Sequence, residues 1–183
     1  MRILKNIFSQ MHRWILWALL SAIFWAWIFT LLTDTTPAKK VTLFAQVETC
    51  RDQALALRLE EAMPPEIRMV KVHPFSYLLF DDTELRRADL FVVRASELET
   101  FLPDFAPLED ESFDFGEREL YRQDGHVYGV KIYDAATGVG AARDYLGYDG
   151  DEDYYLCMNA ASPHLGSGDG AALRIAEALL KLK

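Results

Sequence analysis

Tryptophan is missing from almost the whole chain: all four lie between positions 14 and 27, and none follows. Acidic residues show the opposite gap, with none among the first 33 positions and all 28 after them. Cysteine occurs twice, at Cys50 and Cys157, too few for a disulfide-built scaffold. Four histidines are scattered as His12, His73, His126 and His164, with no spacing that suits a metal. There is no G-x-S-x-G, and Gly138-Val139-Gly140 lacks the third glycine of a dinucleotide fingerprint. No internal repeat or low-complexity segment is present. These absences remove the familiar signatures of hydrolases, metalloenzymes and nucleotide-binding folds, and the sequence reading is that of a non-catalytic protein without a cofactor.

What is present begins with residues 14–33, WILWALLSAIFWAWIFTLLT, 20 residues without charge or proline. At about 1.5 Å per residue such a helix matches the roughly 30 Å hydrocarbon core of a bilayer. Trp14 and Trp17 suit the interfacial belt at its entry. Arg2, Lys5 and Arg13 precede the segment, whereas Lys39 and Lys40 follow it, a bias that favours a cytoplasmic tail over 1–13. A cleaved signal peptide would have a shorter apolar run, about 7–15 residues, and a small-x-small exit, where this chain reads Thr35-Thr36-Pro37-Ala38. No cysteine just after the segment offers a lipid anchor. The expected organisation is a cytoplasmic tail over 1–13, a transmembrane signal-anchor over 14–33, a stalk over 34–40 and an extracytoplasmic domain over 41–183, placing the protein at the cell membrane as a single-pass chain.

Beyond the anchor, 28 acids face 16 basic residues, a formal net charge of −12. That surplus repels phosphate backbones and anionic lipid headgroups, so nucleic acid is excluded as a partner. Cys50 and Cys157 can form one disulfide in an oxidising compartment or remain two separate thiols.

Residues 41–45, 67–72 and 88–93 read as strands, and 52–62 and 96–101 as helices between or after them, with a further short helix over 77–87. Such alternation predicts an α/β fold, a single three-layer lobe with a mainly parallel sheet. A hairpin follows over 119–133 with its turn at Asp124-Gly125, then a Gly- and Asp-rich loop over 135–153, a strand over 154–159 and a closing helix over 171–182. Asp149, Asp151 and Asp153 alternate like the start of a calcium loop. The later positions, Tyr154 and Ala160, stand where such a loop needs Gly and Glu.

The run ADLFVV before a short helix, the L…APL stretch, the D-G-x-x-Y-G-V hairpin (Asp124, Gly125, Tyr128, Gly129, Val130) and the final strand–Ser–helix segment together resemble extracellular solute-binding proteins of ABC importers. The resemblance implies a periplasmic-binding-protein fold, and a role in transport through capture of a small-molecule ligand. Those proteins have two lobes and about twice this length, whereas only about 20 residues here separate the Y-G-V hairpin from the closing strand. A transmembrane helix also replaces their lipid anchor, and Ile132-Tyr133-Asp134 stands where a Tyr-Asn pair often follows. A single-lobe, membrane-anchored binding module is the expectation. The alternative is a protein-interaction or scaffold subunit of a membrane complex, without a small-molecule pocket.

In open α/β sheets ligands bind at the carboxyl ends of strands. The residues predicted there are Glu48, Thr49, Arg94 and Ser96 for polar contacts, with Phe75, Tyr77 and Tyr133 as stacking faces.

Overall fold

The computed structural model describes residues 2–33, 37–74, 88–108, 115–165 and 170–183. It divides into two units, Met1–Thr35 and Thr36–Lys183. The first is helix α1, Arg2–Thr33, so the segment expected as a tail continues the same helix. Within it Arg13–Thr30 is long and apolar enough to cross a membrane, and none of that stretch is buried by protein. Length and composition fit a membrane anchor and a signal sequence equally. The Thr30 hydroxyl donates to Ala26 O at 2.9 Å, which satisfies it without a partner outside the helix.

The second unit is built on one mixed sheet. Its strands are β1 (Lys40–Ala45), β3 (Met69–Pro74), β4 (Leu90–Arg94), β5 (Leu120–Gln123), β6 (His126–Asp134), β7 (Val139–Gly140) and β9 (Tyr154–Met158). The order across the sheet is β3-β1-β4-β9-β6-β5, with β7 on the end of β6. Two further strands, β2 (Thr49–Cys50) and β8 (Leu146–Gly147), make a small antiparallel ribbon. The helices are α2 (Asp52–Glu60), α3 (Leu98–Phe101) and α4 (Ala171–Lys181).

β1 is parallel to both β3 and β4, as the alternation of strands and helices requires. The expectation of a mainly parallel sheet fails beyond that point: β4–β9, β9–β6, β6–β5 and β6–β7 are all antiparallel. The reason is the connections. A parallel return needs a crossover of a dozen or more residues, usually a helix. Here β5 and β6 are joined by a two-residue turn, where Asp124 and Gly125 both take positive φ (52° and 89°). The 135–153 loop contains no crossover helix, only β7 and β8. The helix expected over 77–87 lies outside the described residues.

Strand alternation divides the buried side chains between two faces. Leu43, Leu90, Leu156 and Ile132 join the larger core, roofed by Leu55 and Leu59 of α2 and by Ile175 and Leu179 of α4. Phe44, Phe91, Val93, Tyr155 and Cys157 point the other way, into a smaller aromatic core closed by Leu98 and Phe105. With both faces covered, the central strands are apolar at nearly every position. Gly129 lies opposite Cys157 because a Cβ there would meet the sulfur at 2.9 Å. At the end of α4, Arg118 Nη2 donates to Leu180 O at 2.6 Å, satisfying a carbonyl that the helix leaves free.

The two cysteines do not pair. Cys157 is in the smaller core and Cys50 packs against the larger one, on opposite faces of the sheet, and both are free thiols. Burial pushes both thiols up, Cys50 to about 11 with help from Asp52. Neither is a thiolate near neutral pH.

At the edge where β1 and β4 begin, Asp89 is fully buried. Its carboxylate accepts the Thr42 N–H at 2.7 Å and the Ser162 hydroxyl at 2.5 Å. The Ser162 oxygen in turn accepts the His164 N–H at 3.1 Å, and His164 Nε2 lies 3.2 Å from Lys40 O. A carbonyl only accepts, so Nε2 is the protonated ring nitrogen in that contact. These bonds fasten the turn after β9 to the starts of β1 and β4. Asp89→Ala strands two buried donors and should destabilise the Thr36–Lys183 unit by about 3 kcal/mol, read as a lowered urea midpoint. Asp89→Asn, which keeps one acceptor oxygen, should cost less.

Candidate active or binding site at the carboxyl edge of the sheet

At the opposite edge, β1, β4 and β6 end and β9 begins. The β-run of each strand stops there for a local reason. At Gln46 the backbone N–H still donates to Val92 O at 2.8 Å, but it is the side-chain oxygen that accepts the next donor, the Arg94 N–H, at 3.1 Å. Ala95 N–H donates to Asp153 O at 2.9 Å, which ties the end of β4 to the residue before β9. Asp134 ends β6 by accepting the Ala136 N–H (3.0 Å) and the Thr137 hydroxyl (2.8 Å).

Between these ends lies an open cleft of about 590 Å³, lined by Ala95, Ser96, Lys131, Asp134, Ala135, Ala136, Asp151, Glu152 and Asp153. Its electrostatics centre on Lys131, whose side chain is only 14% exposed and whose ammonium lies 2.7 Å from Asp153 Oδ2 and 2.5 Å from Glu119 Oε2. The same ammonium is 5.8 Å from the centre of the Tyr155 ring. Burial works against the charged lysine, but the hydrogen bonds to Asp153 and Glu119 outweigh it and hold the ammonium above its ordinary range. Burial likewise pushes Asp153 up. Lys131 and the Ala135 N–H, at 2.8 Å from Oδ1, outweigh that and hold it below the usual carboxylate range. Ser96 Oγ donates to Glu152 at 2.8 Å. With four carboxylates against one ammonium, the lining is net acidic.

Of the residues predicted from sequence, Ser96 lines this cleft. Arg94 is not in its lining, and has Nη2 3.9 Å from Asp149 Oδ2 and Nε buried and without a hydrogen-bond partner among the described residues. Burial would lower the Arg94 guanidinium, but the Tyr154 hydroxyl, Glu152 and Asp149 hold it raised. Tyr133 is not a free stacking face: it is buried, stacked on Tyr148 at 4.6 Å and edge-on to Tyr154 at 6.0 Å. The bulge that puts Tyr133 opposite Tyr154 turns its ring into the larger core. Thr49 belongs to the β2–β8 ribbon and Glu48 directly precedes it, its N–H donating to Gly147 O, and neither lines the cleft. Phe75 and Tyr77 lie outside the described residues.

No local pattern points to Lys131 or Glu152 as a ligand residue, and Asp153 enters only through the calcium-loop alternation. Lys131 does leave a trace in the sequence: a cation inside the apolar run HVYGVKIY needs a buried partner. The Asp149 and Asp153 side chains face different neighbours, Arg94 and the Asp151 N–H for the first and Lys131 for the second. A second concavity, lined by Trp17, Leu20, Ser21, Ile23, Phe24 and Trp27, is the exposed surface of α1 alone.

The Lys131 cluster carries a pH dependence of known sign. A carboxylate depressed in the folded state stabilises the fold above the ordinary pKa of 3.8 and loses that contribution as pH falls through its lower folded value. The raised lysine contributes fully below 10.5 and loses its share only as pH rises through its higher folded value. Lys131→Met should therefore lower stability at neutral pH and flatten the loss of stability below about pH 4, as read from thermal midpoints between pH 2 and 7. An unchanged acid limb would show that Asp153 does not depend on Lys131.

No family profile and no curated protein matches the chain. Among solved structures, thiaminase I from Bacillus thiaminolyticus matches 51% of this chain at 18% identity, with a TM-score of 0.39. The match spans 28% of that protein's length. Thiaminase I is an enzyme, and on that finding the expectation of a non-catalytic chain is withdrawn. The TM-score is too low for the likeness to carry thiaminase chemistry, or a fold assignment, to this chain.

Proposed function

We propose that this chain is a membrane-anchored, extracytoplasmic binding module, a single three-layer lobe of the solute-binding-protein kind, whose recognition surface is the cleft at the carboxyl edge of the sheet. The observation that supports it most is the convergence of the ends of β4 and β6 and the loop before β9 on one polar concavity, the location where open α/β sheets hold ligands. Its net acidic lining suits a ligand carrying an ammonium or hydrogen-bond donors over an anionic one. A second reading has its own support. The cleft is open and polar, whereas small-molecule sites are mostly enclosed and apolar, so a protein segment docking across it fits the same geometry.

A thermal-unfolding screen of Thr36–Lys183 against amines, amino acids, peptides, sugars and metal ions separates the two. A ligand at ten times its dissociation constant adds about 1.4 kcal/mol, or about 3–6 °C for a domain of this size. A shift that Glu152→Gln combined with Ser96→Ala abolishes supports capture at this cleft. No shift at millimolar concentrations overturns small-molecule capture and leaves the docked segment. For the anchor, the full chain should resist alkaline extraction from membranes, and protease added outside spheroplasts should remove the C-terminal domain. Release of a soluble protein beginning after residue 33 would show a cleaved signal sequence instead.

A further inference from the structure

We draw no further inference here: the strongest candidate, the acidic rim of the cleft at the carboxyl edge of the sheet (Asp134, Asp151, Glu152), belongs to the site already described, and among the described residues no second feature there points to a particular ligand.

Discussion

The fold turns on β4. This five-residue strand is parallel to β1 on one side and antiparallel to β9 on the other, and all of it except Arg94 is buried. Because the sheet changes sense at this strand, β6 runs in the same direction as β4 with β9 between them. The ends of β1, β4 and β6 therefore reach one edge, and the residues before β9 return to it. Every polar group of the cleft is placed by that arrangement. Leu90 and Val92 serve the larger core while Phe91 and Val93 serve the aromatic one, so the strand also joins the two hydrophobic cores.

Each end of β4 is fixed by a different kind of polar chemistry. At its start, Asp89 is sealed from water and fully engaged by neighbouring donors, an arrangement suited to holding geometry. At its finish, Arg94, Ser96 and the Lys131 cluster are partly exposed, and their bonds join side chains from separate loops. Exposed ion pairs contribute little to stability, typically under about 1 kcal/mol each. Lys131 is the exception at this edge, because its stem is covered by protein and it holds two carboxylates at once. One edge of the sheet thus maintains the fold, and the other presents charge to solvent.

The parts of this architecture that the sequence exposes are those written in local pattern. The β-rich runs of β1 and β4, the Asp124-Gly125 turn and the amphipathic α4 each carry their own signal and lie within a few residues of where they are read, whereas the helix read over 14–33 begins at Arg2. Pairing partners carry no such signal. YYLCM reads as a strand, but nothing in those five residues says that it enters antiparallel between β4 and β6. The two-residue strands β7 and β8 exist only through their partners. The site divides the same way. Ser96 follows directly on the end of β4, a position that local pattern gives, whereas the Lys131–Asp153 pair joins positions 22 residues apart that only the β6–β9 pairing brings together. Tyr133 lies in the larger core because a bulge, invisible in the alternation, turns it inward.

Native-state hydrogen exchange on Thr36–Lys183 tests most directly whether β4 is the element on which the rest depends. The amides of Phe91 to Val93, and their partners Leu156 and Cys157, should exchange only through global unfolding, at the slowest rates in the domain and with the full denaturant dependence. The outer strands β3 and β5 should exchange through smaller openings. If β4 and β9 separate in a sub-global opening while β1–β3 or β5–β6 stays protected, the sheet is two independent halves, and β4 does not organise the cleft.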